Sequence, residues 1–254
     1  MLVSESLLPG PAWTVGRITR RDEWADGLWT FRVDAPIKPY RAGQFLMLGA
    51  HNGEKWVKRA YSVASPCHQL PEFYVTLVAD GEFTPFLHTL HAGHDVGITM
   101  AAQGHFTLEL VPDAPILWLI STGTGLAPYI AMLRTEEPWQ RFGRVVVVHG
   151  VRHSSDLAYK DELLAMSAAH DGRLSWVPVV TREPDATGVL HGRVPSALPQ
   201  IEALVGAEVA PDTSQVLICG NPEMLKTLEL MFGERGLKKN RKREPGHITT
   251  ERYW

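Results

Sequence analysis

The stretch "LISTGTGLAP", Leu119–Pro128, decides the fold class of the carboxyl-terminal half of the chain. A buried-strand pattern breaks here into Gly-Thr-Gly and then continues as a helical pattern. Glycines at such a junction leave backbone N–H groups open to an anion at the start of a helix. The loop lacks the Lys-Ser/Thr ending of a nucleoside-triphosphate P-loop and does not match G-x-G-x-x-G. Taken alone, it is equally consistent with an ordinary glycine-rich turn.

Four nearly unbroken apolar runs follow Pro112, and helical patterns alternate with them. The runs are "ILWLIS", "RVVVVHG", "LSWVPVV" and "QVLICG", and the helical patterns are "LAPYIAMLR", "DLAYKDELLAMSAAH" and "PEMLKTLELMFGERG". Continuous apolar runs are typical of strands that are buried on both faces of a parallel sheet. The alternation predicts an α/β doubly wound parallel sheet, which binds its ligands at the carboxyl ends of the strands.

The chain from Trp13 to about Leu110 has a different pattern of short strands separated by turns. The strand patterns are "WTVGRITR", "LWTFRV", "QFLMLG", "WVKRAYSVAS", "EFYVTLV" and "DVGITMA". Six such strands predict an antiparallel β-barrel or sandwich. One helix, "TPFLHTLHAG", interrupts them, and we expect Thr84 as its N-cap and Pro85 at its first position. The predicted domains are residues 1–111 and 112–254.

The composition is that of an ordinary soluble globular protein, with 254 residues, 44% of them hydrophobic and 21% charged. A formal net charge of −3 argues against bulk nucleic-acid binding. The two cysteines, Cys67 and Cys219, provide neither a disulfide framework nor the ligands of an iron–sulfur cluster. The sequence contains no pattern typical of a signal peptide or a membrane helix, so we expect a cytoplasmic monomer. Three histidines spaced three apart, His88, His91 and His94, favour a solvent-facing stripe over a metal site.

Cationic residues follow several of the predicted strands. In "KRAYS", Arg59 and Tyr61 share one face of a strand, and Ser62 points to the other. Arginine binds phosphate through two parallel hydrogen bonds, and tyrosine offers a flat surface to a ring. Three further arginines follow or lie near the ends of the parallel strands, namely Arg152, Arg182 and Arg193. Each alone is typical of a solvated surface, but together they favour a phosphate-rich ligand.

The motifs "RAYS", "STGTGLAP", "VHGVR", "TREP", "CGNPEM" and "ERYW" occur in the order found in ferredoxin–NADP(+) reductases. From about Trp13 to Trp254 the chain resembles the bacterial type of this family. The resemblance implies a β-barrel domain that binds FAD, an α/β domain that binds NADP(H), and a carboxyl-terminal tail that returns to the flavin. The implied function is electron transfer between NADP(H) and a ferredoxin or flavodoxin, by hydride transfer to flavin N5 and one-electron steps to the protein partner.

The resemblance also implies site residues. For FAD these are Arg59, Ala60, Tyr61, Ser62, Val75, Thr76, Leu77, Glu82, Phe83, Thr84, Thr124, Tyr253 and Trp254. For NADP(H) they are Thr122, Gly123, Gly125, Arg152, Thr181, Arg182, Arg193 and Asn221, with Thr181 and Arg182 selecting the 2′-phosphate. The residues expected to organise hydride transfer are Ser62, Cys219 and Glu251. Two departures from the family pattern are Leu126 in the glycine loop and Trp254 after a penultimate Tyr253.

Several alternatives remain open at this level. The same scaffold serves as the reductase of an oxygenase system or as a free flavin reductase, and a non-catalytic flavin- or nucleotide-binding module is a third reading. The aromatic tail either covers the cofactor or closes the last strand against the barrel. The basic run "LKKNRKR" is either a solvated connector or a docking patch for an acidic partner protein. Its cations are Lys238, Lys239, Arg241, Lys242 and Arg243.

Overall fold

The computed structural model describes residues 1–253 and contains two compact units. The first unit consists of Met1–Thr107 and Ala127–Thr135, and the second of Leu108–Leu126 and the chain from Glu136 onward. The first unit is therefore discontinuous in the chain. The predicted tail residue Trp254 lies outside the described residues.

The first unit is built on six antiparallel strands. They are β1 (Trp13–Ala25), β2 (Leu28–Asp34), β3 (Phe45–His51), β4 (Trp56–Ser62), β5 (Glu72–Thr76) and β6 (Asp95–Thr99). Their order in the sheet is β4-β3-β6-β1-β2-β5, and an isolated antiparallel bridge between Val63 and Phe73 connects the two edges. The sheet encloses a core that includes Trp29, Phe31 and Leu46. The antiparallel barrel predicted from the six strand patterns is confirmed.

Two short helices belong to the first unit, α1 (Thr84–His88) and α2 (Ala127–Leu133). The prediction that Thr84 caps α1 is wrong, since Phe83 occupies the N-cap position and makes no side-chain capping bond. The Thr84 hydroxyl is used elsewhere, because Oγ1 accepts from Val78 N at 2.9 Å and lies 3.1 Å from Val78 O. The helix is also shorter than its pattern "TPFLHTLHAG" predicted.

The second unit is a parallel sheet flanked by helices. Its strands are β7 (Ile116–Thr122), β8 (Arg144–Val151), β9 (Leu174–Val180), β10 (Leu190–His191), β11 (Ser214–Gly220) and β12 (Ile248–Arg252). Its helices are α3 (Glu137–Arg141), α4 (Lys160–Ala169), α5 (Val194–Val205) and α6 (Pro222–Glu234). The strand order β10-β9-β8-β7-β11-β12, with parallel pairing throughout, confirms the predicted doubly wound sheet.

Short 3-10 helices complete the secondary structure, at Glu5–Leu7, Leu108–Leu110, Gly123–Leu126 and Ser154–Asp156. Strand β12 pairs in parallel with β11 at the edge of the second sheet. The last strand is therefore part of the second sheet. Over residues 1–253, no helix is both long enough and apolar enough to cross a membrane.

Candidate functional site

The strand order of the second unit places a topological switch point between β7 and β11. From β7 the chain moves to β8, β9 and β10 on one side, and it returns to β11 on the other side. In doubly wound sheets, ligands bind at the carboxyl ends of the strands that flank such a point. The predicted residues Thr122 and Gly123 lie at the end of β7, and Cys219 and Asn221 lie at the end of β11.

The glycine loop is fixed by close backbone packing between these two strand ends. A Cβ on Gly125 would lie 2.6 Å from the carbonyl oxygen of Cys219, so a larger residue would separate the strands. Gly220 has φ +126 and packs against Thr122, whose Oγ1 accepts a hydrogen bond from Asn221 N at 2.9 Å. Gly123 differs from both, since its φ is +52 and no heavy atom of residues 1–253, apart from Gly123 and its two chain neighbours, lies within 4 Å of the position of a Cβ. The loop thus combines a rigid base with an open backbone segment.

The chain positions two predicted catalytic residues side by side on β11 and β12. Cys219 is in direct register with Glu251. Burial raises the pKa of the Cys219 thiol, the negative charge of Glu251 raises it further, and a hydrogen bond with Tyr253 opposes both effects. Tyr253 is also held by its backbone N, which donates to Gly220 O at 3.3 Å. Tyr253 therefore lies beside the end of β11 in its own unit. Ser62, the third predicted catalytic residue, belongs to the first unit.

Two exposed arginines are held together at the ends of β8 and β9. Arg182 N donates to Arg152 O at 2.9 Å, and the preceding Thr181 donates from Oγ1 to Val151 O at 3.1 Å. Among residues 1–253, neither guanidinium has an acidic partner. Two neighbouring parallel strand ends thus each present an exposed arginine.

The neighbouring Glu183 does not neutralise these arginines because its carboxylate is bound to the loop after β8. It accepts hydrogen bonds from Ser154 N at 3.0 Å and from the Ser154 hydroxyl at 2.5 Å, and it lies 3.2 Å from His153 Nδ1. The hydrogen bond from the Ser154 side chain is the main cause of a lowered pKa at Glu183. No motif in the sequence predicts these hydrogen bonds between the loops that follow β8 and β9.

Asn221 and Arg193, two further residues predicted for NADP(H), have structural roles that limit which of their atoms can bind a ligand. Asn221 is the N-cap of α6, and its Oδ1 accepts from Glu223 N at 2.8 Å and from Met224 N at 3.1 Å. Its amide NH₂ group is then the part left for a ligand. Arg193 occupies the N-cap position of α5, and its exposed guanidinium is 3.9 Å from the Glu223 carboxylate.

In the first unit, Arg59 shares the carboxylate of Glu82 with a lysine that sequence analysis missed. The Arg59 guanidinium donates to Glu82 Oε2 at 3.1 Å, and Lys55 Nζ lies 2.9 Å from Glu82 Oε1. The hydrogen bond from Lys55 is the first cause of the lowered pKa of Glu82. All three side chains are at least partly exposed. The only sequence signal for Lys55 is its position after the Asn52-Gly53 turn that precedes β4.

Tyr61 provides a flat ring on the same strand. It is half-buried, with its ring centroid 6.5 Å from that of Phe73 and 6.3 Å from that of Phe83. Burial raises the pKa of the Tyr61 phenol, so the group stays neutral. Ser62, the next residue, is buried, as the predicted alternation along the strand requires.

The remaining predicted FAD residues lie around this strand or in the glycine loop. Val75 and Phe83 are buried, Thr76, Leu77 and Thr84 are half-buried, and Ala60 and Glu82 are exposed. Thr124 is buried in the second unit. Glu82, Phe83 and Thr84 lie at the start of α1, but α1 contains only five residues, so its dipole contributes little to binding a phosphate there.

The three histidines of "LHTLHAGH" have ordinary contacts. His94 Nδ1 accepts a hydrogen bond from His91 N at 2.8 Å, and His88 packs edge-to-face on Trp29. Within residues 1–253, no group of three or more His, Cys, Asp or Glu is arranged to hold a metal ion.

Comparison with known proteins defines first a class and then a family. The family model described as "Oxidoreductase NAD-binding domain" matches residues 119–229, which include the glycine loop and both exposed arginines. The flavodoxin/ferredoxin–NADP reductase of Shigella flexneri is 38% identical, with 95% of this chain and 99% of that protein covered. The ferredoxin–NADP reductase of Pseudomonas aeruginosa is 30% identical, with 93% and 95% covered.

A solved structure gives the same result. The ferredoxin NADP+ reductase from Neisseria gonorrhoeae, solved with bound FAD and NADP, is similar with a TM-score of 0.89 and 31% identity. The similarity covers 96% of this chain and 99% of that one. This chain therefore belongs to the flavodoxin/ferredoxin–NADP reductase family, and the resemblance inferred from its motifs is confirmed.

Proposed function

We propose that this protein is an FAD-dependent oxidoreductase that transfers electrons between NADP(H) and a ferredoxin or flavodoxin. The observation that carries the proposal is the edge of the parallel sheet. Here the rigid glycine loop and the two arginines without an acidic partner among residues 1–253 follow strand ends, and Cys219 and Glu251 lie side by side in the last two residues of their strands. The names of the relatives and the cofactors bound in the Neisseria gonorrhoeae structure support the same function.

The residues present fit both cofactors. We assign the NADP(H) site to residues 112–254, because Gly123 leaves backbone open to close approach and Arg152 and Arg182 suit the dianionic 2′-phosphate. The other residues proposed for NADP(H) are Thr122, Gly125, Thr181, Arg193 and Asn221. We assign the FAD site to residues 1–111, where Arg59 and Lys55 suit a diphosphate and Tyr61 a flat ring.

The complete set of residues that we propose for FAD follows the sequence prediction. It contains Arg59, Ala60, Tyr61, Ser62, Val75, Thr76, Leu77, Glu82, Phe83, Thr84, Thr124 and Tyr253, with Trp254 of the undescribed end, and the structure adds Lys55. Bound flavin supplies two-electron exchange with nicotinamide and single-electron exchange with a protein partner. Ser62, Cys219 and Glu251 are the residues that we propose to orient the reacting groups. The raised pKa of the Cys219 thiol keeps it neutral, so it packs and hydrogen-bonds without adding charge.

We propose the basic segment, residues 237–243, as the docking patch for an acidic partner protein. Of its five cations, Lys239 is paired with Glu229 at 2.8 Å and Arg241 lies 3.9 Å from Glu244. The other three, Lys238, Lys242 and Arg243, are exposed and have no acidic partner among residues 1–253. The segment is anchored by Asn240, whose Nδ2 donates to Leu110 O at 2.6 Å. Exposed positive charge on a fixed segment favours steering of an acidic partner.

The purified protein tests the proposal directly. We expect a flavin absorption spectrum that NADPH bleaches under anaerobic conditions, reduction of ferricyanide, and reduction of an added flavodoxin or ferredoxin. Bound flavin without any diaphorase activity would indicate a non-catalytic flavin- or nucleotide-binding module. Fast reduction of free flavin with no reaction toward either protein would favour a free flavin reductase, and reaction only with an oxygenase component would favour the reductase of an oxygenase system.

Two properties complete the proposal. Cys67 is exposed and Cys219 is buried, and both are free thiols. Free thiols are typical of a reducing compartment, so we propose that the protein works in the cytoplasm. We also propose that it is a monomer, which gel filtration with light scattering would test.

A further inference from the structure

His149 is a fully buried histidine near the carboxyl end of β8. It follows four consecutive valines and is in register with Ser121 on β7 and Pro178 on β9. An imidazole in such surroundings loses its hydration, so its ring nitrogens need partners inside the protein. The motif "VHGVR" contains this residue but assigned it no role, and the proposed function does not use it.

One ring nitrogen has a partner in the glycine loop. His149 Nε2 lies 3.1 Å from the carbonyl oxygen of Gly123. Because a carbonyl oxygen only accepts hydrogen bonds, Nε2 must carry the proton, a tautomer that follows from the bonding pattern. Burial lowers the pKa of His149 to about 4, so the ring is neutral and Nδ1 carries no proton. Nδ1 has no hydrogen-bond partner among residues 1–253.

The bond fixes more than one atom of the loop. The C=O of Gly123 and the N–H of Thr124 belong to one planar trans peptide unit, in which they point in opposite directions. Gly123 has φ +52 and free space at its Cβ position, so its own packing does little to fix this plane. The hydrogen bond from His149 therefore sets the direction of the Thr124 N–H as well as that of the Gly123 carbonyl.

The opposite side of the loop is held by different contacts. Gly125 packs on the Cys219 carbonyl, and Thr122 accepts from Asn221 N, so both of these contacts come from β11 and its following loop. The hydrogen bond from His149 comes from β8, the neighbour of β7 on the other side. The loop is thus fixed from both neighbouring strands, and His149 provides the contact from β8.

We propose that His149 is a positioning residue for NADP(H), which acts by orienting the peptide between Gly123 and Thr124 in the loop Gly123–Leu126. The inference rests on the proposed function for its ligand, but the His149–Gly123 bond itself does not. The half of NADP(H) concerned is the pyrophosphate and nicotinamide half. The adenosine 2′-phosphate half, which we assign to Arg152 and Arg182, should be indifferent to His149.

Three substitutions separate the hydrogen bond from the volume and polarity of the ring. His149→Gln places an amide N–H at about the reach of Nε2 and should restore the bond. His149→Asn carries the same amide on a shorter side chain that does not reach Gly123 O. His149→Leu fills the space without any donor. Each variant is made as the FAD-loaded full chain, with FAD content and circular dichroism as folding controls.

Two ligands then distinguish positioning from general damage. For His149→Asn and His149→Leu we expect NADP(+) to bind about tenfold more weakly, the loss typical of one hydrogen bond, while His149→Gln stays within about threefold of the parent. The ligand 2′,5′-ADP, which lacks the nicotinamide half, should bind equally to all four proteins. Equal loss of both ligands, or NADP(+) binding unchanged in Asn and Leu variants that fold, would overturn the proposal.

A readout without ligand or substitution keeps the inference independent of variant folding and of the proposed function. In the protein with ¹⁵N-labelled histidine, the His149 ring should show the neutral Nε2-protonated tautomer from pH 6 to pH 8. A neutral ring protonated only at Nδ1 would rule out the bond to Gly123 even if NADP(+) binds tightly, because Nε2 would then have no proton to donate. If the ring shows the predicted tautomer but the protein does not bind NADP(+), the proposed function and the role of His149 toward NADP(H) are both overturned. Only the hydrogen bond between His149 and Gly123 is then supported.

Discussion

Two pairs of arginines, one in each unit, have opposite surroundings. In the first unit, Arg32 and Arg134 converge on the buried carboxylate of Glu72, at 2.8 and 2.9 Å. In the second unit, Arg152 and Arg182 are linked only through their backbone and are exposed at two strand ends. Burial with a counter-charge makes an arginine part of the fold, whereas exposure without one leaves it available to a ligand. The side-chain type alone does not distinguish the two roles.

The largest expected effect concerns the buried pair. Arg134→Met should lower the free energy of unfolding by about 3–4 kcal/mol, because it removes a partner from a buried carboxylate. Arg134 also donates to Ala64 O at 2.8 Å, which adds to the loss. Chemical denaturation of the FAD-loaded protein measures the change. The control is Arg17→Met, which breaks an exposed pair with Asp95 and should cost about 1 kcal/mol or less. Similar costs for both variants would contradict the comparison.

His149 tests the same rule for a buried group without a counter-charge. Its pKa is about 4 in the folded protein and 6.5 as the ordinary value, so the unfolded chain binds more protons between these pH values. The stabilisation is complete above pH 6.5 and is lost as the pH falls through 4, by about 3 kcal/mol in total. Denaturation of the parent and of His149→Gln from pH 7 to pH 4 should reveal this difference. Parallel stability curves would mean that His149 titrates normally.

Arg182 tests the exposed pair. Arg182→Ala should reduce kcat/KM for NADPH by about 10- to 150-fold, the equivalent of a lost charge-assisted hydrogen bond of about 1.5–3 kcal/mol. The kcat/KM for NADH should change little, because NADH has no 2′-phosphate. The melting temperature should also change little, because the Arg182 side chain has no acidic partner among residues 1–253. Arg193→Ala, at another residue proposed for NADP(H), should give a smaller loss with NADPH, since its guanidinium already faces Glu223 at 3.9 Å. Equal losses with NADPH and NADH would show that Arg182 does not read the 2′-phosphate.

Arg59 is intermediate between the buried and the exposed arginines, and the variant that tests it, at its partner Glu82, has the smallest expected effect. It is exposed like Arg182 but shares Glu82 with Lys55. Glu82→Gln removes a negative charge beside two cations, so FAD should bind more tightly to the apoprotein, by about fivefold at most for an exposed site. The gain should shrink at high salt. Titration of FAD by fluorescence quenching measures it, and weaker FAD binding in the variant would mean that the Glu82 carboxylate, rather than the Glu82 backbone, holds the cofactor.

Both sheets could be predicted from the sequence because each has a strong pattern. The runs of the parallel sheet are almost entirely apolar, and the turn residues of the barrel separate its strands clearly. Helix α5 was missed because Pro195 and Pro199 disrupt its pattern, although Pro195 lies in the first turn, where proline is tolerated. Strand β12 was missed because it is short and only Ile248 is buried.

The sites could be predicted only where a local motif marks them. Arg59, Arg182 and the glycine loop stand in recognisable motifs at strand ends, and the resemblance assigned Cys219 and Glu251. Lys55 stands in no such motif, and His149 stands in "VHGVR", which assigned it no role. Their roles come from contacts with residues that are distant in the chain, Glu82 and Gly123, so only the folded structure relates them. The predicted cap of α1 was wrong because a backbone group six residues earlier, at Val78, occupies the Thr84 hydroxyl.

The discontinuity of the first unit restricts how this protein can be cut or recombined. A fragment that stops at residue 111 keeps Phe106 and Glu72 but lacks their partners Tyr129 and Arg134, which lie on the segment Ala127–Thr135. Such a cassette would keep Arg32 as a partner of the buried Glu72 carboxylate but would lose Arg134, and it would expose the apolar surface that Tyr129 covers. Gene fusions and chimaeras that exchange the barrel for that of a relative must therefore transfer Ala127–Thr135 as a second segment, which takes three crossovers in all. A single crossover near the middle of the chain would divide one hydrophobic core between two parents.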